Sequence, residues 1–440
     1  MRKKGRWLFL LFIVITFISG AFAQETLTLT LEQSIDLALN QNPLHLASEQ
    51  RVEAAQSMMR LAAASFFPSL SVQGQRTLME KVMELEFPSM VPGEPPQRME
   101  IDFTRDYQAV VALNIPIVPS LLSVAGATQA RYGVRNSQEG VRQSRQVTIF
   151  NTKQAFFGCL LAERFVQVAG EAVEVAEKHY QNIKSLYEVG MASKFDLLRS
   201  EVQLANLKPQ LIKARNSLEI GKLGLKTLLG IDLDDPLELD GDLIYKPIEL
   251  ELSSSLARAV EMRPELIQLR SQNEMSRKVL RLTRLSNLPS LNIAGTYNFW
   301  ADSFSFKKDT WTNFYAVNLV LTIPLFNGFA TSAQTAQLDA SLHELMLTQK
   351  GMEDAVKLEV RQAFLKLEEA RETLFSQERN VEQAEESLRI AELNFAEGLI
   401  TTLDVSSTQA ALSQAKTNHA QALYDFVVAQ AELDKAMGVD

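Results

Sequence analysis

The sequence has few of the residues on which most enzymes and metalloproteins depend. It contains one cysteine, Cys159, and four histidines, His45, His179, His343 and His419. A single cysteine cannot form an intramolecular disulfide, and no cysteine or histidine pair has the spacing of a zinc site. The GxSxG, GxGxxG and P-loop motifs are also absent. The sequence therefore predicts a protein that is not an enzyme and that uses no cofactor or metal.

Long apolar runs are missing except at the N-terminus. Residues 1–23 combine a basic start, an apolar run and a small-x-small ending, which predicts a signal peptide. A membrane anchor is the alternative reading, but the apolar run from Trp7 to Ile18 is shorter than the roughly 20 residues of a spanning helix. No mature segment is long enough either, so this chain would cross a membrane only as a closed β-barrel.

Basic residues are outnumbered by acidic ones, with 44 Lys and Arg against 53 Asp and Glu. The formal net charge is −9, and loss of the four basic residues of the signal peptide makes it −9 − 4 = −13. Nucleic acid is attracted by basic surfaces, so an acidic exported chain is not expected to bind it.

The most informative feature that is present is an internal duplication. Pro43 recurs as Pro264 after 221 residues (264 − 43), whereas Gly190 recurs as Gly398 after 208 residues (398 − 190). The first copy therefore carries an insertion of 221 − 208 = 13 residues between positions 70 and 114. We expect this proline-rich insertion to form an irregular exposed loop. Two parallel copies with one insertion indicate a duplicated structural unit.

The domain organisation follows this duplication. The predicted segments are a signal peptide over 1–23, a first repeat over 24–230, a linker over 231–255 and a second repeat over 256–440. The linker is rich in Asp, Glu and Pro, and we expect little structure of its own there. In each repeat, helical segments precede two strands, and a very long helix, a glycine turn and a further helix follow.

The long helices are predicted at about 127–187 and 330–395. Apolar residues recur with 4-3 spacing from Ala363 to Phe395, and the same seam in the first copy includes Cys159. A seam of more than four heptads predicts coiled-coil packing, in which Cys159 is a small core residue.

The strands are predicted at about 69–80, 105–117, 290–301 and 312–325. Their alternating pattern is typical of transmembrane barrel strands and also of soluble sandwiches. Aromatic residues crowd the strand ends in the second copy, which favours lipid: Tyr297, Phe299, Trp300, Trp311, Phe314 and Tyr315. Four strands cannot close a barrel, so three copies with twelve strands are expected.

These motifs together resemble the TolC family of outer-membrane efflux proteins over nearly the whole mature chain. The resemblance is carried by Pro-Ser-Leu at 68–70 and 289–291, by the strand exits at 115–117 and 323–328, and by the two glycine turns. It implies a mainly α-helical homotrimer in the outer membrane of a Gram-negative bacterium. A 12-stranded barrel would continue into a periplasmic α-helical coiled-coil barrel.

The resemblance also implies partners and sites. A periplasmic adaptor protein would dock on the turns and connect them to an inner-membrane pump, while outer-membrane lipid would surround the barrel. The matching docking positions are Val189, Gly190, Met191, Ser193, Gly398, Leu399 and Thr401. Met191 and Glu397 depart from the family pattern. Asp196 and Asp404 match aspartates that constrict the entrance in some members, whereas Ser407 stands where others have a second aspartate.

The predicted function is that of a passive exit duct in a tripartite efflux or type I secretion system. The alternative is a soluble periplasmic coiled-coil scaffold or adaptor, which explains the helical seams but not the strand pairs. The glycine turns also have a purely structural interpretation, since glycine suits a tight turn and Ser193 and Thr401 suit a helix start. The transported substrate is not indicated by the sequence.

Overall fold

The computed structural model describes residues 27–78, 83–89, 93, 95–101, 106–247 and 251–439. The predicted signal peptide and the predicted strand residues 79–80 and 105 lie outside these ranges. Among the described residues, no helix combines the length and the hydropathy that crossing a membrane requires.

The main helices and strands follow the same order in both copies, and the first copy adds a strand pair in its insertion. The first copy contains β1 (Leu27–Leu29), α1 (Leu31–Gln41), α2 (Pro43–Ala64), β2 (Ser69–Arg76), β3 (Met83–Phe87), β4 (Gln97–Ile101), β5 (Tyr107–Val118), α3 (Leu121–Glu188) and α4 (Lys194–Leu229). The linker contains β6 (Leu237–Leu239), and the second copy follows with α5 (Leu252–Met262), which begins in the linker, α6 (Pro264–Arg284), β7 (Ser290–Ala301), a 3₁₀ turn (Lys308–Thr310), β8 (Thr312–Thr322), α7 (Ala330–Ala396) and α8 (Thr402–Ala436).

Local chemistry explains where element boundaries differ from the predicted ones. Helix α3 begins at residue 121 and not near 127, because the Ser120 hydroxyl accepts the Ser123 N–H at 3.3 Å and so satisfies a donor of the first turn. Strand β8 ends at Thr322 and not at 325, just before Pro324, which has no N–H for a sheet ladder. Pro209 lies inside α4, where it has no N–H to donate to the helix.

Two segments expected to be irregular contain strands. The linker over 231–255 holds β6, which pairs in parallel with β1, and Leu237 and Leu29 are buried there. The insertion loop holds the antiparallel pair β3–β4, where Glu86 and Arg98 form an ion pair at 2.7 Å. The partner of β6 is a distant segment, whereas β3 pairs with the nearby β4, and in both cases the pairing supplies backbone hydrogen bonds that the local composition did not indicate.

The compact units do not coincide with the two copies. One unit comprises residues up to Glu49 together with Gly140–Leu266 and Met352–Asp440. The other comprises Gln50–Glu139 and Ile267–Gly351. Each unit therefore takes an equivalent part from each copy, as expected when duplicated segments fold against one another.

The second unit contains an antiparallel sheet in the order β2-β5-β7-β8. The two copies meet at β5 and β7, where Val111 lies opposite Tyr297 in the register. Apolar side chains of the outer strands are exposed, among them Leu70, Val72, Val317 and Leu319. Within the described residues, β2 and β8 each pair on one side only, so the sheet has two open edges.

The predicted seam forms part of the core of the first unit, together with residues of α1, α4, α5, α8 and the linker. On α7 every member of the seam from Ala363 to Phe395 is buried or half-buried, and Ala363 and Leu374 are almost fully buried. Cys159 on α3 is 1% exposed, and its Sγ lies against Gly221 of α4. Burial raises the pKa of the Cys159 thiol to about 12. The cysteine is therefore a protonated core residue.

The duplicated prolines and terminal glycines form equivalent joints. Asn42, just before Pro43, donates its side-chain amide to the carbonyl of Leu228 at 2.8 Å. Gly230 follows at φ +74°, and a Cβ there would lie 2.7 Å from the Gln41 carbonyl oxygen. The end of each C-terminal helix thus packs on the joint at the start of its own copy.

The second joint replaces the amide with a charge. Arg263, just before Pro264, donates to the Lys435 carbonyl at 3.1 Å and to Glu359 at 2.7 Å. Gly438 has φ +74°, and a Cβ there would lie 3.0 Å from the Arg263 backbone nitrogen. Both glycines therefore allow a left-handed backbone and a close approach that any side chain would prevent.

Gly230→Ala is expected to destabilise the protein more than Gly398→Ala. Both residues have positive φ, so each substitution adds backbone strain of roughly 1–3 kcal/mol. Only the alanine at 230 also meets a backbone atom, because a Cβ at 398 meets nothing within 4 Å. Thermal unfolding followed by circular dichroism measures the difference in stability. Equal midpoints for the two variants would contradict the close packing of Gly230 against Gln41.

Candidate docking and gate site

The predicted site consists of two helix–helix turns. Turn 1, residues 189–193, joins α3 to α4, and turn 2, residues 397–401, joins α7 to α8. Gly190 has φ +77° and Gly398 has φ +71°. Both positions require glycine, because a residue with a β-carbon is strained in this region of backbone conformation.

Both turns form the same C-terminal helix cap. In turn 1 the N–H of Met191 donates to the Leu186 carbonyl at 2.7 Å, and that of Gly190 donates to Tyr187. In turn 2 the N–H of Leu399 donates to the Asn394 carbonyl at 2.8 Å, in the equivalent arrangement. This is the Schellman motif, which satisfies the last carbonyls of a helix.

The two predicted gate aspartates lie in N-terminal capping boxes. Asp196 accepts the Ser193 N–H at 3.3 Å and the Ser193 hydroxyl at 2.5 Å. Asp404 accepts the Thr401 N–H at 2.8 Å and the Thr401 hydroxyl at 2.6 Å. Each carboxylate therefore satisfies a backbone donor in its own turn. The Ser-x-x-Asp and Thr-x-x-Asp spacings in the sequence are those of a capping box. These aspartates were predicted only as gate residues.

Asp404 has a perturbed acidity. Hydrogen bonds from the Thr401 hydroxyl and the Thr401 backbone N–H hold the pKa of the Asp404 carboxyl below its usual range. The side chain is fully exposed, so burial has little influence on this carboxylate. Asp404 thus remains charged at mildly acidic pH, which keeps both the cap and the negative charge in place.

The turns expose apolar side chains to solvent. Val189 and Met191 are 69% and 77% exposed, and Leu399 is 73% exposed. Phe195, in the first turn of α4, is exposed to a similar extent and was not among the predicted docking residues. Its position directly after the turn is the signal that would have identified it. These side chains are accessible to a binding partner.

The two turns belong to helices that are in contact. The ring of His179 on α3 lies 5.9 Å from the ring of Phe395 on α7, close to the end of each helix. Ser407, at the position of a second aspartate in some TolC-like proteins, donates its hydroxyl to the Asp404 carbonyl at 2.8 Å. Within the described ranges, no three histidine, cysteine, aspartate or glutamate residues are grouped to hold a metal ion.

The titration of Asp404 tests the capping geometry. Because its folded pKa is lowered, the carboxylate stabilises the turn above the ordinary aspartate pKa, and this contribution is lost as pH falls through the lower folded value. Thr401→Val removes the hydroxyl donor and is expected to move the pKa back toward the usual range. Carbon-detected NMR of labelled aspartate side chains measures both midpoints. An unchanged midpoint in the variant would contradict the assigned cause.

The chain matches one family model in two stretches. The model is described as outer membrane efflux protein, and it matches residues 34–231 and 256–439. The alkaline protease secretion protein AprF of Pseudomonas aeruginosa is 24% identical over 100% of this chain and 89% of its own length. The outer membrane protein TolC of Vibrio cholerae is 23% identical over 69% of this chain and 70% of its own length.

Solved structures show the same fold at low sequence identity. The CusC channel superposes with a TM-score of 0.74 at 15% identity, covering 93% of this chain and 92% of CusC. VceC of Vibrio cholerae superposes with a TM-score of 0.71 at 16% identity, covering 93% of this chain and 96% of VceC. This chain therefore shares the fold of these two structures.

Proposed function

This chain belongs to the outer membrane efflux protein family, and on that premise we propose that it is the exit duct of a tripartite efflux or type I secretion system. Its location is the outer membrane of a Gram-negative bacterium. The observation that supports this role best is the family match in both copies, together with relatives such as AprF and TolC. The duct conducts its substrate passively, and the energy comes from an inner-membrane pump.

A homotrimer is the assembly that suits the open sheet. Strands β2 and β8 each lack a partner on their outer side among the described residues, and open edges are not tolerated in lipid. Three copies joined from β2 to β8 supply 3 × 4 = 12 strands and leave no edge. The exposed apolar residues of these strands, such as Val72 and Val317, would then face lipid.

The turns are the proposed contact with a periplasmic adaptor. Turn 1 offers Val189 and Met191, with Phe195 next to it in the first turn of α4, whereas turn 2 offers Leu399 and the acidic Glu397. The two turns therefore share one backbone geometry but present different chemistry. An adaptor with repeated docking segments would meet two unequal sites in each subunit, and this inequality would orient it on the duct.

A soluble scaffold or adaptor is the less favoured alternative. It explains the coiled-coil seam as well as a duct does, but it gives no role to a four-stranded sheet with open edges and exposed apolar residues. Carbonate extraction of membranes separates the two functions, because a scaffold is released by this treatment and an integral outer-membrane duct is retained.

Asp404 is proposed as a gate residue in addition to its capping role, and matched variants separate the two. Asp404→Asn removes the charge but keeps an acceptor for the Thr401 N–H, whereas Thr401→Val weakens the cap but keeps the charge. Loss of a closed-state interaction of about 1 kcal/mol increases the open population about fivefold. We therefore expect Asp404→Asn to increase the open probability of the channel several-fold in single-channel recordings in planar bilayers.

In that series, Thr401→Val serves as the control and is expected to behave like the unmodified protein. If the open probability rises in Thr401→Val and is unchanged in Asp404→Asn, the role of Asp404 is limited to capping.

Photo-crosslinking tests the docking turns. A photoreactive amino acid at Met191 or at Leu399 is expected to form an adduct with the periplasmic adaptor in cells, because both side chains extend from the turns into solvent. The matched control is Leu44 on α2, which is 80% exposed but lies outside both turns. Mass spectrometry identifies the adduct. Adducts from Leu44 alone would show that the adaptor docks elsewhere.

A further inference from the structure

His179 is a histidine that the capping and docking geometry does not use. It lies on α3, eleven residues before Gly190 (190 − 179), and its imidazole contacts Phe395 of α7 at a ring distance of 5.9 Å. Phe395 in turn comes three residues before Gly398 (398 − 395). This ring pair therefore joins the two helices immediately before their turns.

The surroundings of this imidazole are apolar. Ala176 and Ile183, three residues before and four residues after His179 on α3, are each 3% exposed. Ala391, four residues before Phe395 on α7, is also buried. Residues at these spacings share a helix face, so His179 and Phe395 lie along the buried contact between α3 and α7.

One nitrogen of the ring has no polar partner. The Nε2 atom of His179 is buried and makes no hydrogen bond to any described residue. A neutral imidazole tolerates such a site if Nε2 carries no proton, but an imidazolium would place a charged donor where nothing accepts it. Burial accordingly lowers the pKa of His179.

The charged residues nearby are engaged or exposed. On α3, Lys178 pairs with Glu174 at 2.7 Å, and Glu177 faces Lys208 of α4 at 3.7 Å. On α7, Glu392 and Glu397 flank Phe395 in sequence and are both exposed. On α8, the fully exposed Asp404 is held by Thr401, as described above. None of these carboxylates has a hydrogen bond to the buried Nε2 atom.

We propose that His179 makes the contact between α3 and α7 sensitive to acid, so that proton uptake at its ring separates the two helices next to turns 1 and 2. This deepens the proposed function, on which it rests, because it supplies a regulator for the gate. The separated state hydrates the imidazolium, whereas the closed state has to bury it.

The direction and the pH window follow from linkage. In the separated state His179 titrates near the ordinary value of about 6.5, and in the closed state it titrates lower. Neutral pH therefore favours the closed contact. As pH falls below about 6.5, the separated state takes up the proton first and becomes more populated, by up to about tenfold for each unit by which the closed-state pKa is lowered.

A distance measurement tests the proposal without depending on channel activity. Cysteines introduced at the exposed positions Lys184 on α3 and Glu392 on α7 carry spin labels, while the buried Cys159 stays unlabelled. In full-length protein in lipid nanodiscs, we expect the fraction of long label distances to rise several-fold between pH 7.5 and pH 5.0. His179→Phe, which keeps an aromatic ring against Phe395, is expected to abolish that rise.

The control is His343→Gln, because His343 lies on α7 with its side chain 71% exposed and is expected to leave the pH response intact. His179→Leu is a second variant, should the phenylalanine fail to fold. A pH response that persists in a folded His179 variant, or that is absent from the unmodified protein, overturns the proposal. Conductance recorded at the same pH values separates the two ideas: distances that change without any channel current keep the acid switch but contradict the duct.

Discussion

The burial of one apolar seam along very long helices is the constraint on which this structure depends. A helix of 67 residues such as α7 is not stable alone in water when alternating alanine and larger apolar residues line one side of it. In the unit that contains both turns, α3, α4, α7 and α8 bury that seam against one another. The alternation of small and large residues lets the helices approach closely, and Cys159 is accommodated there as one more small side chain.

The joints show how a duplicated chain keeps such helices in register. Gly230 and Gly438 bring the ends of α4 and α8 onto the backbone before Pro43 and Pro264, at distances that exclude a side chain. Equivalent positions use different chemistry, an amide at Asn42 and a guanidinium at Arg263. Arg263 is largely buried, and its charge is compensated by Glu265 and Glu359. Duplication has therefore preserved the geometry of the joint while its polar contacts diverged.

The same divergence occurs at turns 1 and 2. Both turns use a Schellman cap followed by a capping box, so their backbone is specified by local hydrogen bonds and is independent of any partner. Rigid turns of this kind can present different side chains without loss of structure. Under the proposed function, Met191 with the neighbouring Phe195 at turn 1, and Glu397 with Leu399 at turn 2, would set the choice of partner. The contact of His179 with Phe395, in contrast, involves two helices and, as proposed, responds to pH.

Much of the architecture was accessible from the sequence because it depends on local periodicity. The order of elements, the long helices, the strand pairs and the glycine turns all follow from spacings of apolar residues, glycines and prolines. The strands of the linker and of the insertion were missed, since β6 needs β1 from some 200 residues earlier and β3 needs β4, and such pairing leaves no periodic signal in a short segment.

The sequence by itself determined the duplicated unit and the family to which it belongs, since motif spacing survives even when identity is low. Only the tertiary structure decided that the compact units cut across the copies, that Asp196 and Asp404 are capping carboxylates, and that the half-buried ring of His179 lies next to Phe395. The physical reason is that burial and hydrogen-bond partners are properties of the packed helices. From the sequence alone, a histidine one residue away from a seam position is expected at the surface, because only the neighbouring helix covers it.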